Sequence, residues 1–225
     1  MSPFPPEIER VARKALEYVP VGGTIGLGTG TAATAFLHAL AGANRKIRGV
    51  ATSQASATLA EQLGIPLTTL DEVESLDVDF DGADEVDPAG NLIKGYGGAL
   101  VREKIVAGAS KQFVVLVGLE KIVSKLGEHG KLPVEIVPFA LGPCQYKFPK
   151  LGCDPVLRLK NGKPFVTDNG NYILDCRLSP LDRPDELEAT LLRIPGVVGT
   201  GLFLNMASVI LIGHAESVEV RDIVG

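Results

Sequence analysis

Two hydrophobic periods alternate along the first half of the chain. Ile8, Val11, Ala12 and Ala15 recur at helical spacing and predict a first helix from about Pro6 to Tyr18. After it, short apolar runs alternate with helical segments. The predicted strands are GGTIGLGTG, KIRGVATS, IPLTTL, VDFDGAD and QFVVLVG, and the predicted helices among them are TAATAFLHALAG, SQASATLAEQLG and GALVREKIVAGAS. This order predicts βαβ units around a mostly parallel sheet, which is an α/β fold.

Local signals mark the ends of two of these helices. Thr31 is a candidate N-cap for the second predicted helix, and Gly42 is expected just past its end. The third predicted helix begins near Ser53 and closes at Gly64.

The pattern changes in the second half. PVEIVPF predicts a strand, and a weak helix follows near Cys144–Leu151. Two turn signals, Asn161-Gly162 and Asn169-Gly170, lie between alternating runs and predict a hairpin or meander. A helix, RPDELEATLLRIPG, and a strand, VVGTGLFLN, complete a small α+β domain. The apolar strand ASVILIGHA is of the parallel-sheet type and can return to the first sheet. The predicted domains are therefore 1–129 with 206–225, and an inserted 130–205.

Composition narrows the class of partner. The 225 residues are 45% hydrophobic and carry a formal net charge of -5, which is typical of a globular protein and argues against a nucleic-acid binder. No apolar run reaches the length of a membrane span, and the N-terminal stretch lacks a signal-peptide core. Three cysteines without a CxxC pair indicate free thiols in a reducing compartment. We therefore expect a cytoplasmic protein without a membrane partner.

A glycine-rich turn follows the first predicted strand. Gly28-Thr29-Gly30-Thr31 leads directly into a helix, whose free N–H groups attract an anion such as a phosphate. The turn also fits a relaxed dinucleotide fingerprint, but the second strand ends in Thr52-Ser53 rather than in the required acid, which disfavours a nicotinamide cofactor. A simple tight turn is the alternative interpretation.

Carboxylates cluster after the strand VDF. Asp81 and Asp84 lie where parallel strands present their carboxyl ends to a ligand. Paired carboxylates can divide acid and base work, bind Mg²⁺, or merely cap a turn. Glu85 and Asp87 receive no role, and we expect them to be solvated.

A cation, a glycine loop and an acid follow in turn. Lys94 opens the loop, which again ends at the start of a helix, and Glu103 lies about one turn into that helix. One interpretation is a base and a cationic electrophile facing one substrate, with loop N–H groups as an anion nest. The other is a surface Lys and a Glu that interacts with the helix dipole. Lys121, beyond the next strand, adds a further positive charge to the same rim or is simply solvated.

Several long motifs now point to one family. GLGTGT, TS followed by a further Ser, DGADEVDP, KGYGGALVREKI and LPVEIVPF occur in this order, with TDNGNYILD and IPGVVGTGLF nearer the end. Together they resemble ribose-5-phosphate isomerase, type A, over nearly the whole chain. The resemblance implies interconversion of ribose 5-phosphate and ribulose 5-phosphate in the non-oxidative pentose phosphate pathway, with no cofactor or metal. It also implies a Rossmann-like domain with a smaller inserted α+β (ferredoxin-like) domain, assembled as a homodimer or homotetramer.

The resemblance assigns the site residues. The base falls on Glu103. The chemistry of the reaction adds Lys94 as the cation that stabilises the enediolate, Asp81 for hydroxyl protons or ring opening, and Asp84 to fix a hydroxyl or orient Lys94. The implied substrate-contacting residues are Thr29, Gly30, Thr31, Ala32, Asp81, Gly82, Ala83, Asp84, Lys94, Gly95, Tyr96, Gly97 and Lys121.

Two positions depart from the family pattern. Ala32 stands where a Thr hydroxyl is usual, so a side-chain contact there must be absent or replaced. Tyr96 interrupts a run of glycines, so its side chain must point away from the substrate or cover it.

Two other functions compete with this one. Another sugar-phosphate isomerase or a lactonase would favour a histidine-based site, and no histidine lies in these motifs. A non-catalytic sugar-phosphate sensor would keep the glycine loops but should lose the base, whereas Glu103 and Lys94 are both present.

Overall fold

The chain folds into six α-helices and fifteen strands within residues 3–43 and 45–223, which the structure, a computed structural model, describes. The helices are α1 (Pro6–Ala15), α2 (Thr31–Gly42), α3 (Gln54–Gln62), α4 (Leu100–Gly108), α5 (Leu141–Lys147) and α6 (Pro184–Leu192). The strands are β1 (Thr24–Leu27), β2 (Arg48–Ala51), β3 (Val78–Gly82), β4 (Glu85–Val86), β5 (Leu92–Ile93), β6 (Phe113–Gly118), β7 (Lys131–Ile136), β8 (Asp154–Leu157), β9 (Leu159–Lys160), β10 (Lys163–Pro164), β11 (Tyr172–Arg177), β12 (Val197–Thr200), β13 (Leu202–Phe203), β14 (Val209–Gly213) and β15 (Val218–Asp222).

Two units divide these elements. The first comprises Met1–Ala83, Arg102–Lys121 and Asn205–Gly225, and the second comprises Asp84–Val101 and Ile122–Leu204. The domain limits expected from the sequence differ from these units over residues 84–101 and 122–129 and at Asn205, and they stay a prediction.

The first unit is built on a six-stranded sheet. Its strand order is β15-β14-β6-β3-β1-β2, and all neighbours are parallel except the edge pair of β14 and β15. The return of β14 to this sheet, beside β6, confirms the expectation from its apolar sequence. Strand order reverses between β1 and β3, since β1 connects through α2 to β2 on one side while β3 lies on the other. Crevices at such reversal points are where open α/β sheets bind ligands.

The alternation of residues along β1 and β3 separates two faces of the sheet. Ile25 and Leu27 on β1, together with Val78 and Phe80 on β3, join a core with the apolar residues of α1 and α2. The rings of Phe36 and Phe80 stack within this core at 4.2 Å between centroids. The residues between them therefore face the opposite side of the sheet.

The second unit is α+β. An antiparallel sheet of order β12-β7-β11-β8 shares a core with α5 and α6, and a three-stranded sheet has the order β13-β5-β4. Asn161 and Gly162 both have positive φ, 54° and 75°, and join β9 to β10 as the predicted hairpin turn. The predicted class, α/β with a mostly parallel sheet and a smaller α+β part, is confirmed.

Three local expectations are wrong. IPLTTL forms no strand: Leu67 makes a single bridge to Gly49, and a 3₁₀ turn at Leu70–Glu72 ends the extended stretch. The N-cap of α2 is Gly30 rather than Thr31, and Gly42 is the last helical residue. The edge strand β15 and the two-residue strands β4 and β5 were not predicted, because such short or exposed runs carry no clear period, and the single strand predicted at VVGTGLFLN is divided into β12 and β13.

Candidate active site

The loop after β1 is shaped by two glycines. The Gly28 N–H donates to the Phe80 carbonyl at 2.9 Å, which continues the pairing of β1 with β3. Gly30 has a φ of +110°, a conformation that favours glycine, and its carbonyl accepts the Thr34 N–H of α2 at 2.8 Å. The loop therefore delivers the chain into α2 with the helix N-terminus at the carboxyl edge of the sheet.

The Thr29 hydroxyl lies in a cluster of hydroxyl groups. Its Oγ1 lies 2.8 Å from Thr52 Oγ1, 2.8 Å from Ser53 Oγ and 3.0 Å from Ser56 Oγ. Ser56 also donates to the Gly28 carbonyl at 2.6 Å, and Ser53 caps α3 by accepting the Ser56 N–H at 3.0 Å. The cluster ties the loop after β1 to the end of β2. The spacing of Thr52, Ser53 and Ser56 was its only signal in the sequence.

Asp81 lies at the end of β3 and is fully buried. Its Oδ1 accepts the Thr29 N–H at 3.0 Å and the Gly82 N–H at 2.7 Å. A Cβ added at Gly28 would lie 2.3 Å from the Asp81 carboxyl carbon. Gly28 is thus a glycine because the carboxylate occupies the space of its side chain, and one carboxylate joins the two predicted loops.

A second carboxylate occupies the side-chain space of a glycine two residues earlier on the same pair of strands. Gly26 pairs with Asp79, and a Cβ at Gly26 would lie 2.2 Å from Asp79 Oδ1 and 2.6 Å from Val106 Cγ1 of α4. Asp79 is fully buried. It is not among the site residues predicted from the sequence, although its two-residue offset from Asp81 places both carboxylates on one face of β3. This face, opposite the apolar core, is covered by α4.

Glu103 belongs to the buried face of α4. It is 3% exposed, and Val106 and Ala107, three and four residues on, are buried as well. The helix connects β3 to its parallel neighbour β6, so it runs antiparallel to both strands, with its N-terminal end at their carboxyl ends. Glu103 lies three residues before Val106, a step of about 4.5 Å along the helix, and the step from Asp79 to Asp81 along the strand is about 6.6 Å. The register therefore places Glu103 near the level of Asp81.

Three further predicted residues lie at the same edge. A Cβ added at Gly82 would lie 3.8 Å from the Ala32 methyl, so the first turn of α2 adjoins the end of β3. Ala83 directly follows Gly82. Lys121 ends a 3₁₀ turn after β6, which is the next strand beyond β3. The first unit thus brings together the predicted residues of 29–32 and 81–83 and Lys121 at the ends of three adjacent strands.

The second unit carries the remaining predicted residues. Lys94 follows β5 and is 3% exposed, with its Nζ 5.4 Å from the centroid of the Phe203 ring. Its N–H donates to the Gly201 carbonyl at 2.8 Å. A lysine held this deeply is poorly described as a solvated surface residue, which was the alternative interpretation from the sequence.

A tight turn follows Lys94. The Gly98 N–H donates to the Gly95 carbonyl at 3.0 Å, and both glycines have positive φ. The Tyr96 N–H donates to Asp84 Oδ2 at 2.9 Å, so Asp84 fixes the main chain of the loop. Of the four N–H groups expected to form an anion nest, two are therefore engaged within the protein.

The Tyr96 side chain contacts another residue of its own unit, Lys131. Its hydroxyl donates to the Lys131 carbonyl at 3.2 Å, and Lys131 Nζ lies 3.8 Å from the ring centroid. Burial raises the pKa of the phenol, and the nearby carboxylates of Glu85, Asp84 and Asp175 raise it further. The phenol therefore stays a protonated donor, and its contacts account for the departure from a run of glycines.

Glu85 and Asp87 are bound rather than solvated, contrary to expectation. Glu85 is fully buried and accepts the N–H groups of Gly127 at 2.5 Å and His129 at 2.8 Å. Asp87 accepts the N–H groups of Ala89 at 2.9 Å and Asn91 at 2.8 Å. Both carboxylates hold turns of the second unit, because unsatisfied N–H groups in such turns would be costly.

Comparison with known proteins agrees with these motifs. The family model described as "Ribose 5-phosphate isomerase A (phosphoriboisomerase A)" matches residues 48–217. The "Ribose-5-phosphate isomerase A" of Roseiflexus sp. (strain RS-1) is 49% identical over 216 residues, which is 93% of each chain. The relative of the same name from Gloeobacter violaceus (strain ATCC 29082 / PCC 7421) is 46% identical over 217 residues, 94% of each chain.

Solved structures share the fold. Ribose 5-phosphate isomerase A from Methanocaldococcus jannaschii has a TM-score of 0.91 and 38% identity, covering 96% of this chain and 98% of that one. A D-ribose-5-phosphate isomerase in complex with phospho-erythronic acid has a TM-score of 0.91 and 36% identity, with the same coverage. Matches of this extent and identity show that the chain belongs to the ribose 5-phosphate isomerase A family.

Proposed function

We propose that this protein interconverts D-ribose 5-phosphate and D-ribulose 5-phosphate, with Glu103 as the base. The observation that carries the proposal is the buried Glu103 carboxylate, on the helix that covers the Asp79 and Asp81 face of the sheet. Membership of the ribose 5-phosphate isomerase A family supports the reaction. A relative solved with phospho-erythronic acid supports a sugar phosphate as the class of ligand.

The reaction moves one proton between two carbons. Glu103 takes the C2 proton of the open-chain aldose, the electrons of that bond form the C1–C2 double bond, and the carbonyl oxygen on C1 becomes an oxyanion. The O2 hydroxyl proton passes to O1, and Glu103 returns its proton to C1, which gives the ketose. A single carboxylate serves both steps, since the proton leaves and returns at adjacent carbons.

The other residues have electrostatic and positioning roles. Lys94 stabilises the oxyanion of the cis-enediolate, as preorganised charge at a developing anion does. Asp81 handles a hydroxyl proton of the sugar, and Asp84 keeps the loop of Lys94 in shape through the Tyr96 N–H. The N-terminus of α2 and Lys121, at one edge of the first unit, provide positive potential for the phosphate. The reaction itself belongs to the non-oxidative branch of the pentose phosphate pathway.

We also propose a cytoplasmic homodimer or homotetramer. None of the helices within residues 3–43 and 45–223 has the length and apolar character that crossing a membrane requires. Phe139 is 97% exposed and Tyr146 is 80% exposed, and such large apolar side chains on the second unit support burial against another copy.

A coupled assay of ribose 5-phosphate conversion, with EDTA present, tests the activity. Glu103→Gln should lower kcat by roughly 10²-fold or more while KM changes little, the scale of a lost general base. Glu61→Gln, at an exposed position of α3, is the matched control and should retain wild-type activity. Product formed in D₂O should gain carbon-bound deuterium, because the proton passes through an exchangeable carboxyl.

Three results would contradict the proposal. A wild-type protein that binds ribose 5-phosphate without turnover would be a sensor instead. Near-complete activity of Glu103→Gln would assign the base to another carboxylate. Loss of activity in EDTA would require a metal ion at the acidic residues.

A further inference from the structure

A network of four side chains surrounds the loop of residues 94–98 in the second unit. They belong to Lys131, Arg158, Phe165 and Asp175. Arg158 is its centre, and it lies between β8 and β9 with a side chain that is 12% exposed. Its Nε donates to Asp175 Oδ2 at 2.9 Å, and its Nη2 donates to Asp175 Oδ1 at 2.5 Å. The planar guanidinium is thereby fixed in a bidentate pair with a carboxylate of β11.

The remaining nitrogen of Arg158 reaches the loop. Nη1 donates to the Gly95 carbonyl at 2.9 Å and to the Tyr96 carbonyl at 3.1 Å. These are the two residues directly after Lys94. One guanidinium therefore satisfies two consecutive carbonyls in a turn whose geometry requires glycine at both Gly95 and Gly98.

Main-chain hydrogen bonds to the neighbouring strands hold Arg158 in place. Its own N–H donates to the Ile173 carbonyl at 2.9 Å, and its carbonyl accepts the Phe165 N–H at 2.8 Å. The Phe165 ring fills the space beside Gly98, where an added Cβ would lie 2.6 Å from two ring atoms. Lys131 Nζ lies 3.9 Å from Asp175 Oδ1 and also covers the Tyr96 ring. The loop is thus held through its carbonyls by Arg158 and through the Tyr96 side chain by Lys131.

We propose that Arg158, oriented by Asp175, is a positioning residue for the isomerisation: it fixes the Gly95 and Tyr96 carbonyls and so the loop that carries Lys94. The inference rests on the proposed function, since it gives Arg158 a role only in placing Lys94 for the substrate. Arg158 does not itself touch the reacting atoms. It acts by preorganising a charge and the loop N–H groups that must meet a developing oxyanion.

Kinetics of Arg158→Ala in the 225-residue protein test the inference. A displacement of a catalytic group by about 1 Å can cost about 10²-fold in rate, so we expect kcat to fall by roughly 10-fold or more with a smaller change in KM. Arg177→Ala is the matched control, since Arg177 is an exposed arginine on β11 two residues from Asp175, and it should keep wild-type kcat. Circular dichroism gives the folded fraction, to which every rate is normalised.

A double-mutant cycle with Lys94→Met separates positioning from general structural damage. If Arg158 acts through the loop of Lys94, the double variant should lose less in kcat/KM than the product of the two single losses. Millimolar guanidinium should restore part of the activity of Arg158→Ala but none of that of Lys94→Met. Multiplicative losses in the cycle, with no rescue, would overturn the inference.

Arg158→Lys keeps the test decisive if the alanine variant does not fold. An ammonium can pair with Asp175 but cannot also span both carbonyls, so an intermediate kcat is expected. Wild-type kcat in folded Arg158→Lys would overturn the inference. Inactivity of the wild-type protein toward ribose 5-phosphate would instead refute the proposed function, so the two failures are distinguishable.

Discussion

Gly28→Ala tests the idea that a missing side chain directly after β1 makes room for a carboxylate on β3. The added methyl would lie 2.3 Å from the Asp81 carboxyl carbon and 2.5 Å from the Phe80 carbonyl oxygen. Ordinary contact begins near 3.4 Å, so both distances are about 1 Å too short. The carbonyl belongs to the backbone of a central strand and cannot give way. The carboxylate must therefore move, or the strands must separate.

The expected loss in the free energy of unfolding follows from these contacts. Overpacking of a buried site costs about 1–3 kcal/mol, and displacing Asp81 from the Thr29 and Gly82 N–H groups weakens two charged hydrogen bonds of about 1.5–3 kcal/mol each. We expect a net loss of about 3–5 kcal/mol. For a chain of this size each kcal/mol lowers Tm by about 2–4 °C, so Tm should fall by roughly 10 °C. Activity should fall as well, since the carboxylate is displaced.

Thermal unfolding and the isomerase assay measure both effects. Gly108→Ala is the matched control, because Gly108 ends α4 with nothing within 4 Å of an added Cβ. It should leave kcat unchanged and Tm equal or slightly higher, as alanine is the better helix former. Adding Asp81→Gly to Gly28→Ala should recover part of the stability but not the activity. A Gly28→Ala protein with the wild-type Tm and kcat would refute the reasoning.

Two further predictions concern the charged residues. Lys94→Met should lower kcat by roughly 10²-fold, the scale of a lost oxyanion donor, and raise KM far less; an effect on KM alone would make Lys94 a binding group only. Lys111 donates to the Asp77 carboxylate at 2.9 Å and holds its pKa below the ordinary 3.8. A lowered pKa stabilises the fold above the unfolded value and loses that contribution as pH falls through the folded value. Asp77→Asn should therefore lower Tm slightly near pH 7, by the small amount typical of an exposed pair, and the gap to wild type should close below about pH 3.8. A gap that persists or widens in acid would contradict the assigned ion pair.

The spacing of apolar residues and the residue types typical of turns were enough to predict most of the fold. The α/β order, the hairpin at Asn161-Gly162 and the return of β14 to the first sheet all follow from apolar runs and positive-φ residues. The strand predicted at IPLTTL fails because its pairing with β2 is limited to Gly49, whose N–H donates to the Pro66 carbonyl and whose carbonyl accepts the Thr68 N–H. Local propensity cannot report how many partners a stretch will find at the edge of a sheet.

Residue type predicted the candidate site better than it predicted the support around it. Glu103 and Lys94 were chosen as charges beside glycine loops, and both prove to be buried. Arg158 lies more than sixty residues from the loop carbonyls that it binds, and Asp175, which orients it, lies further still, so no spacing rule connects them to the loop. Glu85 shows the reverse error, since an acid in a run of acids suggested solvent while its carboxylate binds two N–H groups. Hydrogen bonds between residues far apart in the chain leave no repeating pattern in the sequence from which they could be predicted.

The sequence Gly26-Leu27-Gly28, at the end of β1 and directly after it, serves two purposes. Glycines before a helix are usually explained by the approach of a phosphate to the main chain. Here Gly26 and Gly28 alternate with Ile25 and Leu27, so each glycine faces α4 while each apolar residue faces the core. Asp79 and Asp81 on the adjacent strand fill the space that the glycines leave. Carboxylates can be buried on this face because Gly26 and Gly28 have no side chains to occupy it, and the charge of Asp81 meets the Thr29 and Gly82 N–H groups. The glycines are therefore as necessary to the carboxylates as to any ligand of the loop.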